Sequence, residues 1–236
     1  MFDQFFGKPF WVTFAALAAT FALSAAVFPF PIASGVALVL IVIATTIVAW
    51  RRPELGLAIA FAELFANSHG HLVSYEIGGF SVSMRMAVFG GVMLAWLASI
   101  VTRRSRMSFS DARLTIFLPL FVAVAIGFVV GFLTNSPTVA FKDGNAYLYL
   151  AYLFPILSID WDGAKKRLML QVFAASAAWV GAVTLFLLYV FTHFPEWMLG
   201  LVYKFVRDTR TGELTKMSGA LFRIFLQAQF SVVAFA

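Results

Sequence analysis

Three polar positions in the closing stretch SGALFRIFLQAQFSVVAFA, Arg223, Gln227 and Ser231, stand at i, i+4 and i+8. At 100° per residue, a helix through this stretch places them on one face. A guanidinium stays charged at physiological pH and its planar fork can hold two oxygens, so at the rim of a groove it suits a phosphate or diphosphate. A helix starting at Gly219 also puts Arg223 only roughly 6 Å below its start, within snorkelling reach of lipid headgroups. Arg223 is the candidate catalytic residue, and Gln227 a candidate contact to the same ligand.

A second stripe lies in LGLAIAFAELFANSHGH, where Glu63 and Asn67 stand at i and i+4 and His71 follows. A carboxyl inside an apolar run is costly, so Glu63 is either paired against a neighbouring helix or part of a proton relay. Arg85, in GGFSVSMRMAVFGG, opens the next apolar run. It reads as an interface anchor or as a second cation facing a phosphate. The segment HFPEWMLGLVYKFVRDTRTGELTKMSG carries Lys204, Arg207, Arg210 and Lys216, candidate contacts to anionic headgroups or to a polyanionic substrate. Met198, Leu201, Val202 and Phe205 recur in it at helical spacing, which predicts an amphipathic helix lying on a membrane surface. His69 and His71 fall on the same side as Arg85, but their spacing points them at nothing in particular.

Other chemistries lack their residues. The chain has three histidines and no cysteine, which excludes disulfides and thiolate sites, and its histidines and acids do not cluster at metal-ligand spacing. No Walker loop, dinucleotide fingerprint or nucleophile elbow occurs, so neither a metal nor another cofactor is expected.

The elements that must carry these residues follow from composition. Of 236 residues, 62% are hydrophobic and 12% charged, and the mean hydropathy is +0.92, which is a membrane protein's balance. The net charge of +6 does not point to nucleic acid, because the basic residues sit between apolar runs. A bilayer core needs about 20 apolar residues as helix. Five runs approach that length: Phe10 to Val27, Ile32 to Trp50, Met86 to Val101, Leu114 to Thr134 and Leu168 to Phe191. Leu55 to Ser68, Ala146 to Ile159 and a final run from Ala220 are shorter. The expectation is an all-α polytopic membrane protein of about eight transmembrane helices, the last of them truncated. Placing the N-terminus in the cytoplasm puts Arg51, Arg52, Arg103, Arg104, Arg106, Arg113, Lys165, Lys166 and Arg167 inside, and leaves the loop 192–219 outside.

Four stretches in order, RRPELGLAIAF, GGFSVSMRMAVFGGVMLAWL, KDGNAYLYLAYLFPIL and RDTRTGELTKMSGALFRIFLQAQF, resemble the N-terminal portion of the O-antigen ligase and O-antigen polymerase family of bacterial envelope enzymes. The resemblance implies a metal-independent membrane glycosyltransferase of the bacterial inner membrane. Such an enzyme transfers glycan from an undecaprenyl-diphosphate carrier to an acceptor such as lipid A core or a growing polysaccharide, in lipopolysaccharide or related cell-envelope biosynthesis. It implies that residues 1–219 are an N-terminal transmembrane region, and that 220–236 begin the family's signature domain, opened by Arg223. Members follow that arginine with a Gly and an Asn-Pro pair where this chain has RIFLQAQF, so ligase and polymerase both stay open. The partners implied are a lipid-linked glycan and membrane lipids. Two other readings remain: a small secondary transporter built on Glu63, and a non-catalytic membrane scaffold.

Overall fold

The computed structural model describes residues 2–78, 80–104, 112–217 and 222–235. In chain order the helices are α1 (Phe2–Phe5), α2 (Lys8–Val27), α3 (Pro31–Arg51) and α4 (Pro53–Ala66), then α5 (Met84–Val101), α6 (Ala112–Thr134), α7 (Pro137–Leu148) and α8 (Leu153–Leu157), then α9 (Gly163–His193), α10 (Glu196–Asp208) and α11 (Gln229–Phe235). Two antiparallel hairpins interrupt them. Strand β1 (Ser74–Ile77) pairs with β2 (Phe80–Ser83), and β3 (Glu213–Lys216) pairs with β4 (Phe222–Phe225). Five helices, within α2, α3, α5, α6 and α9, are long and apolar enough to cross a bilayer.

Local chemistry sets the boundaries. Proline stands in the first helical positions of α2, α3, α4 and α7, where its missing N–H is no loss. Ser83 caps α5 by accepting from the Met86 N–H, and Asp162 caps α9 by accepting from the Lys165 N–H. The run Ala146 to Ile159 is not one helix. It divides into the end of α7, a 3₁₀ turn over Tyr149–Tyr152, and α8. Pro155 explains the break, because its ring collides with the carbonyl four residues earlier, inside that turn.

Small residues bring the helices together, as they do where lipid leaves packing to drive association. Ala37 and Ala49 of α3, Ala58 and Ala60 of α4, and Ala87 and Ala95 of α5 are buried around Leu57 and Val88. A Cβ on Gly91 would lie 3.0 Å from the Val42 carbonyl, so a larger residue there would have to push α5 and α3 apart by a few tenths of an ångström. Phe65 meets Phe173 edge-on at 4.8 Å, tying α4 to α9. A second cluster gathers Val183, Leu187 and Val190 of α9 with Val206, Leu226 and Ala228.

The bundle has two chemically distinct ends. At one, Arg104 lies over the Trp50 ring and Gln171 donates to the Gln4 carbonyl, gathering the ends of α3 and α5 and the starts of α1 and α9. At the other end lie both hairpins, α10 and the loop between α4 and β1. There Ser24 donates to the Leu72 carbonyl, fastening that loop to α2.

Three expectations are corrected. The final run is not a helix from Ala220: residues 218–221 lie outside the described residues, Phe222–Phe225 is strand, and the helix begins only at Gln229. The i, i+4, i+8 stripe of Arg223, Gln227 and Ser231 therefore does not exist. Its parts fall on a strand, a turn and a short helix. The amphipathic helix does form as α10, but with a different packed face. Leu199, Val202, Phe205 and Val206 turn inward, while Leu201 is exposed beside Trp197.

Candidate functional site

The hairpin end is organised around one buried ion pair. Glu63, on the last turn of α4, is 3% exposed, and its Oε2 accepts from Arg85 Nε at 3.0 Å. Arg85 Nη2 also donates to the Asn67 carbonyl and, at 3.4 Å, to the Ser68 carbonyl. The Asn67 carbonyl, at the C-cap, is one that the end of α4 leaves unpaired, and a cation there also meets the negative end of the helix dipole. Arg85 is thus an internal cap and counter-ion, not the headgroup anchor that its place in the sequence allowed. Gly70, at φ +72°, passes directly over the pair. A side chain there would run into Arg85 and come within 2.9 Å of Glu63 Oε1, so the loop needs glycine for both conformation and space.

Ser68 then joins three distant parts of the chain. Its hydroxyl donates to the Thr211 carbonyl at 2.6 Å and accepts from the Ala228 N–H at 3.3 Å. Those contacts bring the α4–β1 loop, the turn after α10 and the turn before α11 to one point. Two open clefts meet there. The larger, about 950 Å³, runs from this point past Arg85 and His71 to Lys142 and Asn145 of α7. The smaller, about 700 Å³, is walled by α10, the β3–β4 hairpin and Phe230. Both are lined by Ser68, His69, Arg210 and Gln227.

Arg210 occupies an unusual backbone position. The Arg210 N–H bonds the Arg207 carbonyl and the Thr211 N–H bonds the Val206 carbonyl, the pattern of a Schellman helix end. Its left-handed position usually belongs to glycine, yet here Arg210 holds φ +50°. A non-glycine residue there costs of order 1–3 kcal/mol, and such strain concentrates at functional sites. Among the described residues, neither Arg210 nor Lys142 has an ion-pair partner, and Glu76 and Glu213 are the carboxylates lining the clefts. Arg207 is exposed and bonded to Asp208 at 2.8 Å.

The two histidines of the α4–β1 loop lie beside these cations. Partial burial and the neighbouring Arg210 and Arg85 hold His69 below the ordinary imidazole range, with Glu213 opposing. His71 is driven further, to about 4, by deeper burial together with Arg210, His69 and Arg85. Both rings are therefore neutral at pH 7.

Of the residues singled out in the sequence, Arg85, Arg210 and Gln227 line the larger cleft, and Arg207, Arg210 and Gln227 the smaller. Glu63 and Asn67 lie buried beneath. Lys204 and Arg223 line neither cleft, and Arg223 is exposed on β4, its guanidinium 5.9 Å from the Phe225 ring. The side chain of Lys216 lies outside the described residues. The sequence placed His69 on the side of Arg85 but gave it no role, and did not single out Lys142 or Asn145 as site residues, because the three bear no spacing relation to one another. Among the described residues no group of histidines and acids could hold a metal. Compared with protein-family models, curated proteins and solved structures, the chain shows no match to any of them.

Proposed function

We propose that this chain binds a diphosphate-bearing, lipid-linked glycan at the hairpin end, which faces the outside of the cytoplasmic membrane, and takes part in transferring that glycan to an acceptor. The observation that carries the reading is Arg210, a cation without an ion-pair partner among the described residues. It is held in a left-handed conformation at the common wall of two clefts. Its fork matches two phosphate oxygens, and Lys142 can take a third. Placed beside a leaving diphosphate, such preset charge stabilises what develops as the sugar–phosphate bond breaks. The orientation agrees with the charge count. By sequence, ten of the 17 lysines and arginines fall in segments of the opposite end, among them Arg51, Arg52, Arg103, Arg104, Lys165, Lys166 and Arg167, against seven at the hairpin end, the bias that the positive-inside rule favours. Arg85 is spent on Glu63, which disfavours Glu63 as a transport carboxylate and favours it as a support for the cleft.

The test is Arg210→Gly. Glycine relieves the left-handed strain, so thermal stability in detergent should hold or rise by about 1 kcal/mol. Binding of undecaprenyl diphosphate by the purified protein should fall at least tenfold, and glycan transfer in cells should fall with it. Arg223→Ala should leave binding unchanged. If Arg210→Gly binds the diphosphate as the parent does, the reading is wrong.

A further inference from the structure

Glycosyl transfer from a lipid diphosphate needs a place where donor and acceptor touch, and a base there for the acceptor hydroxyl. The two clefts supply the place. The larger combines Arg210 and Lys142 with apolar Leu64, Met86 and Leu150, a lining for a charged head that leads into an apolar chain. The smaller presents Tyr203, Phe225 and Phe230 beside Glu213 and Thr215, aromatic faces with a few polar groups, as suits a sugar. They share four residues. Arg210 is permanently protonated, and neither the Ser68 hydroxyl nor the Gln227 amide accepts a proton at neutral pH. That leaves one base.

Resting on the transferase reading above, we propose that His69 takes the proton from the acceptor hydroxyl, with the donor diphosphate seated in the larger cleft and the acceptor in the smaller. The proton passes to the free ring nitrogen of His69 as the acceptor oxygen bonds to the anomeric carbon. The bond from that carbon to the phosphate oxygen breaks, its electron pair leaves on the lipid diphosphate held by Arg210, and the imidazolium returns its proton to water. No further reactant is needed.

The groups around His69 fit the role. Arg210 faces it from the turn after α10, Arg85 from α5, Glu213 from β3 and His71 from its own loop; Lys142 of α7, Arg207 of α10 and Glu76 of β1 complete the walls. Partial burial, together with a set in which cations outnumber carboxylates, keeps His69 in its neutral, proton-accepting form. His71, by contrast, lines only the larger cleft, and Glu213 only the smaller.

The experiment compares His69→Gln and His69→Ala with the parent and with Arg210→Gly. The purified proteins are assayed for undecaprenyl diphosphate binding, and the same variants in membranes for glycan transfer from pH 5 to 9. Both His69 variants should bind the diphosphate within about twofold of the parent. Transfer should fall by roughly 10²–10⁴ and lose the acid limb that the parent shows below pH 6.5. Normal transfer by His69→Gln, with Arg210→Gly still defective in binding, overturns the base assignment and leaves the transferase reading standing. Loss of diphosphate binding in the His69 variants overturns it too, by making His69 part of the cleft's framework. Equal diphosphate binding by the parent and Arg210→Gly removes the reading on which the proposal rests.

Discussion

Replacing Arg85 with leucine should destabilise the bundle far more than replacing Arg85 and Glu63 together. Arg85 is 15% exposed and Glu63 3%, so the pair is largely removed from water, and losing one partner of a buried pair costs about 3–5 kcal/mol. In Arg85→Leu the Glu63 carboxyl is left under Gly70 with no cation, and the carbonyls of Asn67 and Ser68 lose their donor. In Glu63→Leu/Arg85→Leu the stranded carboxyl is gone. What remains is the loss at the two carbonyls, about 1–3 kcal/mol for a properly bonded one and little for Ser68, whose bond is 3.4 Å long. The expectation is therefore a single-variant cost of about 4 kcal/mol, a double-variant cost of about 2, and a coupling energy of at least about 2 between the sites.

Reversible unfolding in mixed SDS and dodecylmaltoside micelles, followed by tryptophan fluorescence and circular dichroism, measures all four corners of the cycle. Additive costs would refute the reasoning, since they would mean that Glu63 and Arg85 act independently. A cost below about 1 kcal/mol for Arg85→Leu alone would do the same, by showing that the pair is open to water.

Two further outcomes are expected. His71 should titrate near 4 in a ¹³C-edited NMR experiment. Its folded-state value lies below the unfolded one of about 6.5, so the unfolded chain takes up the proton first as pH falls. The His71 contribution is thus fully present above pH 6.5 and lost progressively towards pH 4; His71→Gln should remove that acid-side loss, and an unchanged acid profile would contradict it. Because the chain has no cysteine, single-cysteine variants report topology directly. Cysteine at Lys204 should react with an impermeant maleimide in intact spheroplasts, and cysteine at Arg103 or Lys165 only after lysis; the reverse pattern would invert the proposed orientation.

What could be read from the sequence was what rests on local or summed chemistry. The long apolar runs became α2, α3, α5, α6 and α9, helices long and apolar enough to cross a bilayer, because a helix satisfies its backbone hydrogen bonds within one segment, and Pro31 and Pro53 stand at helix starts, where the missing N–H is no loss. The misreading of FRIFLQAQF has a physical cause. Four residues of strand show one alternation of apolar and polar, which a helical period fits equally well. Only pairing with Glu213–Lys216 decides between the two. The alternation of ELTK against FRIF, with a glycine between, was the available signal. The site itself was less legible, because its contacts are distant. Ser68 reaches across 143 and 160 residues, and Arg85 meets a carboxylate 22 residues back.

Arg210 is the sharpest case. In the sequence it is one of four basic residues in a loop, and composition ranks it no higher than Lys204 or Arg223. What separates it is a helix that ends at Asp208, with Thr209 as its C-cap, fixed by Val206 packing against α9 and by Thr209 bonding the Phe205 carbonyl. Helix ends are read from sequence only to within a few residues. A shift of one position would move the left-handed conformation from Arg210 to a neighbour and relax the arginine. The functional weight placed on Arg210 therefore follows from where packing stops α10. A substitution that moves that stop, such as Val206→Gly, should weaken diphosphate binding without touching a charged group.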